Sequence, residues 1–133
     1  MTTLSANRDA AVAAALEERL AESIAGSGVA VTAQPAPFGR VPAISFDRPT
    51  DPAVADHYHL ERGYWLRDVD RPPDLVLTAY RDHWAAAGFE VRDEISARRF
   101  VTARDSAGYV LMIEWNRRGH LVLSAGSPTV DAE

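Results

Sequence analysis

Two tetrapeptides near the C-terminus share one pattern and place narrow limits on the fold. Asp105-Ser106-Ala107-Gly108 and Asn116-Arg117-Arg118-Gly119 each begin with Asp or Asn and carry glycine at the fourth position. This pattern is typical of a type I turn followed by a glycine in the left-handed region, which closes a three-residue hairpin loop. The sequence therefore predicts two consecutive tight hairpins, and so three antiparallel strands in a row.

The two turns also fix the register of the strands. The predicted cross-strand pairs are Asp105–Tyr109, Ala103–Leu111, Val101–Ile113 and Arg99–Trp115 in the first hairpin, and Asn116–His120, Trp115–Leu121, Ile113–Leu123 and Leu111–Ala125 in the second. In this register one face of the sheet is apolar throughout, with Val101, Ala103, Leu111, Ile113, Trp115, Leu121 and Leu123. Only Arg99 interrupts it, at the edge, where we expect its guanidinium to stack on Trp115. Turn chemistry and alternation are independent signals, and they agree.

The opposite face of the same strands is unusually apolar for a surface that meets only water. Its members are Phe100, Thr102, Val110, Met112, Glu114, His120 and Val122. Two interpretations remain open: the middle segment, residues 34–69, covers this face, or the face contacts another protein or a second copy of the chain.

Two segments have helical periodicity. In residues 7–25 apolar side chains recur every four positions, at Val12, Leu16, Leu20 and Ile24. Ser5 or Asn7 is expected to cap this helix, and the glycines of residues 26–28 to end it. Residues 72–87 form the second predicted helix, with proline and acidic residues at its start and Gly88 after its last turn. Its expected buried face is Val76, Leu77, Tyr80, Trp84 and Ala87.

The remaining elements are less strongly marked. We expect short strands at residues 29–33 and 89–93, an edge strand at 41–46, and a strand at 58–69 with Gly63 as a bulge. Residues 127–133 are expected to fray. The prediction for the whole chain is a single α+β domain over residues 1–133, with two layers. An antiparallel meander of four to five strands over about residues 89–125 has both helices packed on one face.

Composition excludes several classes of protein. The chain has 133 residues and 47% hydrophobic residues, so a single core needs no cross-link, and there is no cysteine for a disulfide, a thiolate metal site or a nucleophile. The start of the sequence does not resemble a signal peptide, and no apolar run is long enough to span a membrane, so we expect a cytoplasmic protein. All 14 basic residues are arginine, which is typical of GC-rich bacteria such as actinomycetes. The net charge of −5 disfavours nucleic acid and anionic membranes as partners.

Few constellations suggest chemistry. His57, His59 and Glu61 lie on one side of a predicted strand, so they are candidate ligands for a metal such as zinc; the alternative is a solvated strand edge. The serines form no nucleophile elbow, and the carboxylates share no apolar wall. The arginine pairs 98–99 and 117–118 have only one exposed aromatic residue near them, Phe100. RNA-binding sheets stack bases on several aromatic side chains, so this pattern disfavours RNA binding. We therefore expect no catalytic residue and no bound cofactor.

The C-terminal half resembles small actinobacterial α+β proteins of unknown function, of the LppA-like lipoprotein kind. The resemblance covers about residues 72–128 and lies in the segments 84–91, 100–105 and 108–111 and in the ending 121–124 with Ser127-Pro128. This chain shows neither the leader nor the acylated cysteine of that pattern. The resemblance implies the fold and no activity.

Two functional hypotheses follow. The preferred one is a non-catalytic protein-binding module, immunity- or adaptor-like, whose partner or second copy contacts Phe100, Val110, Met112 and Val122, with Trp65 either an anchor on the surface or part of the core. The rival is a binding protein or an enzyme that takes a small molecule or a metal in a pocket near His57 and His59, with Tyr64 and His120 nearby.

Overall fold

A computed structural model describes residues 2–36, 39–42 and 57–131. Its helices are α1 (Thr2–Ser27), α2 (Pro73–Ala86) and the single turn α3 (Ile95–Arg98). Its strands are β1 (Thr32–Pro35), β2 (Gly39–Pro42), β3 (His57–Arg67), β4 (Glu90–Glu94), β5 (Phe100–Arg104), β6 (Val110–Trp115), β7 (Leu121–Gly126) and β8 (Val130–Asp131).

All described strands belong to one antiparallel sheet. The strand order is β1-β3-β7-β6-β5-β4, and β2 and β8 also pair with β3. The last four strands in the chain before β8 form a meander, and β3 joins this meander on the free side of β7. The predicted α+β class with an antiparallel meander is confirmed.

The predicted register of the two hairpins is confirmed. Ala103 pairs with Leu111, Ile113 with Leu123, and the backbone N–H of Trp115 donates to the carbonyl of Arg99 over 2.9 Å. Both turn glycines have positive φ, +89° at Gly108 and +80° at Gly119. In each turn the side-chain oxygen of the first residue, Asp105 or Asn116, accepts two backbone N–H groups at 3.0 Å, which holds the loop closed.

Both long helices pack on the same face of the sheet. The α2 residues Val76, Leu77, Tyr80 and Trp84 are fully buried there, and so are Leu16 and Leu20 of α1. The sheet contributes the other side of the core, with Leu60, Leu66, Val101, Ala103, Leu111, Ile113, Leu121, Leu123 and Ala125. Helix α2 ends in a Schellman motif: Phe89 N–H donates to Trp84 C=O and Gly88 N–H to Ala85 C=O, with Gly88 at φ +84°.

Several boundaries differ from the predictions. Helix α1 begins at Thr2, so the predicted cap at Ser5 or Asn7 is wrong. Ala87 follows α2 and is exposed, not buried. The first strand starts at Thr32, and Val29, which was assigned to it, is buried in the core instead. The short helix α3 was not predicted at all.

Gly63 is not a bulge in β3, because its pairing with Ser124 continues the register of Arg62 and Tyr64. The irregularity lies in the edge strand beside it. Pro35 of β1 pairs with Tyr64, and Gly39 of β2 pairs with Glu61. Three residues separate the two paired positions on the edge, whereas only two separate them on β3, so the extra residue lies between β1 and β2. The predicted edge strand 41–46 is present as β2 up to Pro42, and its residues 43–46 lie outside the described part.

The prediction that residues 127–133 fray is wrong for the described residues, because Ser127, Val130 and Asp131 are bonded to β3. Residues 132–133 lie outside the described part. Val130 pairs with Tyr58 and Asp131 with His57. The buried Ser127 holds this segment in place, because its backbone N–H donates to Leu60 C=O and its Oγ accepts the Leu60 N–H, both over 2.9 Å.

Candidate functional site

The sheet face opposite α1 and α2, called the outer face below, contains all five residues predicted to bind a partner. Alternation along β5, β6 and β7 places Phe100, Val110, Met112 and Val122 there. Trp65, for which surface and core were both open, pairs with Val122 and lies on the same face. Val110 is 39% exposed and the other four are half-buried.

The outer face is an ordered grid, because the registers of neighbouring strands align. One row crosses six strands and consists of Gln34, Trp65, Val122, Glu114, Phe100 and Glu94. The next row consists of Gly63, Ser124, Met112, Thr102 and Arg92, and the third of Glu61, Gly126, Val110, Arg104 and Glu90. Met112 is therefore at the centre, and the charged side chains lie mainly on β3, β4 and the ends of the strands.

Small residues open a trough in this grid. Ser124 and Gly126 lie on the outer side of β7, so the surface is low there, between Met112 and Val110 on one side and His59 and Glu61 of β3 on the other. Gly63, which pairs with Ser124, is buried, and the Ala36 Cβ lies 3.7 Å from the position that a Gly63 Cβ would take. The trough continues into a groove of about 460 Å³, lined also by His59, Glu61, Arg104, Pro128 and Thr129. This volume is in the range of small-molecule sites.

Trp65 is held in place by polar neighbours on the outer face. Its ring centroid lies 5.5 Å from that of His120, and the Arg67 guanidinium carbon is 5.0 Å from the Trp65 centroid. Arg67 in turn contacts His120 Nδ1 through Nη1 at 3.1 Å and donates from Nε to Gln34 Oε1 at 3.2 Å. An indole fixed by such contacts loses little side-chain entropy on binding.

The proposed metal ligands are only partly brought together. His59 Nε2 lies 3.3 Å from Glu61 Oε1 at one wall of the trough. The backbone of His57 pairs with Asp131, and its side chain is outside the described part. Within residues whose side chains are described, no three His, Asp or Glu groups are arranged to hold a metal ion. Tyr64 lies on the opposite, helical face, where it donates to Glu17, so it does not line the trough.

The described groups with a shifted pKa lie on the helical side of the sheet. The hydrogen bond to the Glu17 carboxylate and burial raise the pKa of Tyr64, and burial raises the pKa of Tyr80. The pKa of Asp93 is lowered by the backbone N–H of Ile95 and by Arg81. These contacts join α1 and α2 to the sheet or close the turn after β4, so they belong to the folding of the chain.

The sequence predicts the apolar residues of the outer face, but it does not predict the trough. Alternation within the meander is enough to place Met112 and Val122 on one face. The trough depends on β3 lying beside β7, and no local signal predicts which strand joins the meander there. Serine and glycine at 124 and 126 would have been the signal, once that pairing was known.

Comparison with protein-family models, curated proteins and solved structures gives no match for this chain. No helix in the described part is both long and apolar enough to cross a bilayer.

Proposed function

We propose that this chain is a non-catalytic protein-binding module, immunity- or adaptor-like, that docks its partner on the outer face. One observation carries the proposal: five apolar or aromatic side chains from four strands share a face that neither α1 nor α2 covers. A monomeric surface of this kind exposes apolar area that an interface would bury.

The composition of the face also supports a protein partner. Met112 and Val122 are apolar at its centre, with Glu114 between Val122 and Phe100. Further charged residues lie around them, at Glu61, Glu94 and Arg92. Interfaces between proteins have this arrangement of apolar core and polar rim, with Trp, Tyr and Arg as frequent anchors. The net charge of −5 favours a basic partner at long range.

Met112→Glu tests the proposal, with Leu75→Glu as its matched control. Leu75 is on α2, is 52% exposed and faces solvent on the other side of the molecule. A partner is first captured on the immobilised chain from an extract of the source cells and purified, and its affinity is then measured by calorimetry. We expect Met112→Glu to weaken binding at least tenfold, because a charge is buried at the interface centre, and Leu75→Glu to leave it unchanged.

Equal affinity of both variants for the partner would overturn docking on this face. The two variants should also melt at the same temperature as the parent chain. A large drop in melting temperature for Met112→Glu alone would show that the outer face is part of the core. Analytical sedimentation of the chain without a partner tests whether it forms a dimer. If it does, and if Met112→Glu dissociates the dimer, the outer face binds a second copy of the chain.

The trough favours a second candidate function, the binding of a small molecule or metal near His57 and His59. Native mass spectrometry with and without a chelator tests it directly. A mass adduct that is lost in His59→Ala, or on chelation, would support this function. A bare chain of 14.5 kDa that behaves identically in His59→Ala would count against it.

A further inference from the structure

Four arginines meet at one end of the sheet, away from the trough. Arg98, Arg99, Arg117 and Arg118, with Trp115, surround an open cavity of about 640 Å³. We call this group the arginine corner. Ala97, Glu114 and Asn116 complete its lining.

The fold brings two separate arginine pairs together. Arg98 and Arg99 precede β5, whereas Arg117 and Arg118 are in the turn after β6. Because β5 and β6 are antiparallel neighbours, the start of one lies beside the end of the other. Arg99 ends α3 with φ +64°, a left-handed conformation that is unfavourable for a residue with a Cβ and turns the chain into β5.

Arg99 is the fixed member of the corner. Its guanidinium carbon lies 3.7 Å from the centroid of the Trp115 ring, and its Nη2 donates to Asn116 C=O at 3.4 Å. Stacking on the indole leaves the edge of the guanidinium plane directed away from the ring, so its N–H groups are oriented before any ligand arrives.

The corner concentrates four arginines that have no acidic partner in the described part of the chain. Five arginines elsewhere are paired with carboxylates, in Arg19–Asp105, Arg62–Glu17, Arg71–Asp70, Arg81–Asp93 and Arg92–Glu94, whereas Arg67 contacts Gln34 and His120. In the described part of the chain, none of the four corner arginines forms an ion pair. Glu114 lines the same cavity, so the lining carries four positive charges and one negative charge in a protein with a net charge of −5.

We propose that the arginine corner binds a phosphate group carried by a small molecule. Guanidinium groups bind phosphate oxygens in bidentate pairs, and several of them around one cavity can neutralise its charge. Mutual repulsion of unpaired arginines disfavours their clustering, and a bound anion removes that repulsion. The cavity is larger than one phosphate needs, so there is room for the rest of the ligand. Its lining shares Glu114 with the outer face but none of the five residues predicted to bind a partner, so the proposal does not depend on docking there.

Calorimetric titration of the full chain with inorganic pyrophosphate, at low ionic strength, tests the proposal. The informative variant is Arg117→Gln with Arg118→Gln, because both side chains are exposed in a turn that Asn116 and Gly119 maintain. The control is Arg71→Gln with Arg92→Gln, which removes the same charge elsewhere. We expect the corner variant to lose at least tenfold in affinity and the control less than about threefold.

A second variant gives an effect of opposite sign. Glu114→Gln removes the one carboxylate from the lining, so pyrophosphate should bind several-fold more tightly. Glu90→Gln, at the far end of the sheet, is its control and should change little. Equal losses in the two arginine double variants, or no saturable binding at all, would overturn the proposal, since either would reduce the corner to diffuse surface charge.

Discussion

Ser23 lies at the centre of the contact between α1 and α2, where both helices bury their apolar faces. Its Oγ accepts the indole N–H of Trp84 at 3.0 Å and donates to Arg19 C=O at 2.8 Å. Ser23 and Trp84 are both fully buried. This serine is the third residue of the stripe Leu16, Leu20, Ser23, and its polarity is explained by the one polar atom of the tryptophan opposite.

Removing this hydroxyl should lower the stability of the fold markedly, although it has a single heavy atom. In Ser23→Ala the Trp84 N–H keeps its burial and loses its acceptor, so we expect the free energy of unfolding to fall by about 1–3 kcal/mol. Urea denaturation measures the change. Ser96→Ala, on the exposed side of α3, is the control and should stay within about 0.5 kcal/mol of the parent. Equal stability of the two variants would show that the hydrogen bond contributes nothing.

Asp105 makes two kinds of contact, and its counterpart in the other turn, Asn116, makes only one of them. Both close a turn with the side-chain oxygen, but only Asp105 binds Arg19, with Nε and Oδ2 2.6 Å apart. Burial alone would raise the pKa of Asp105; the Arg19 guanidinium and the N–H groups of Tyr109 and Ala107 oppose this, and the net result is a lowered pKa. Arg19 also covers the Tyr109 ring, 3.8 Å from its centroid, so the turn is tied to α1.

Asp105→Asn should therefore keep the turn and lose the ion pair. We expect it to lower the free energy of unfolding by about 1–2 kcal/mol at neutral pH. Because the folded pKa lies below the unfolded value of about 3.9, the contribution is complete above that pH and is lost as the pH falls through the folded pKa. Urea denaturation at a series of pH values should show the gap between parent and variant closing under acid conditions. A gap that is constant with pH would mean that the charge of Asp105 is not what matters.

At the scale of elements, the two hairpins owe their register to turns that are closed by local contacts. Gly119 has φ +80°, and apart from its two chain neighbours no described residue has an atom within 4 Å of the position that a Cβ would take. Any cost of a larger residue there is therefore a backbone cost and involves no clash. Substitutions at Gly119 therefore measure how much the left-handed conformation contributes to the free energy of unfolding.

Gly119→Ala should lower the free energy of unfolding by about 1–2 kcal/mol, because alanine is disfavoured at positive φ. Gly119→Asn should cost clearly less, since asparagine tolerates this region. Thermal denaturation of the two variants measures the difference. If alanine and asparagine cost the same, the type I turn with a left-handed fourth residue is not the conformation that holds the hairpin.

The elements that the sequence predicts well are those whose signals are local. Turns of four residues, alternation within a strand and the glycine stop after Trp84 each act within about one helical turn or one hairpin, and they are confirmed. The pairing of β8 with β3 joins Tyr58 to Val130 across most of the domain, and the Ser127–Leu60 bonds behind it have no local signature. Helix α3 and the left-handed backbone of Arg99 are not predicted, because an arginine at positive φ contradicts the usual glycine or asparagine. The stacking of Arg99 on Trp115 is predicted and is confirmed.

The same distinction applies to the candidate site. Phe100, Val110, Met112 and Val122 follow from the meander alone, whereas Trp65 joined them only because β3 pairs with β7. The two arginine pairs of the corner likewise follow from the first hairpin, because Arg99 lies opposite Trp115 in the predicted register. Local patterning therefore locates a patch, and the long-range pairing decides which other residues complete it.

At the scale of the whole molecule, the architecture has one covered and one uncovered sheet face in its described part. Helices α1 and α2 lie on the same side, so each strand of the meander alternates between a core residue and a residue of the outer face. Leu111 and Met112 are neighbours on β6 that differ in this way: Leu111 is fully buried under the helices, and Met112 is half-buried on the outer face.

Leu111→Ala and Met112→Ala should therefore have unequal effects on stability. We expect Leu111→Ala to lower the free energy of unfolding by about 2–5 kcal/mol, because it leaves a cavity in the core. Met112→Ala should cost about 1 kcal/mol or less, since no second layer packs against its side chain in the described part of the chain. Urea denaturation of the two variants gives both numbers. Losses of equal size would mean that the outer face is packed as tightly as the core in the folded chain, and a partner would then have no apolar surface to bury there.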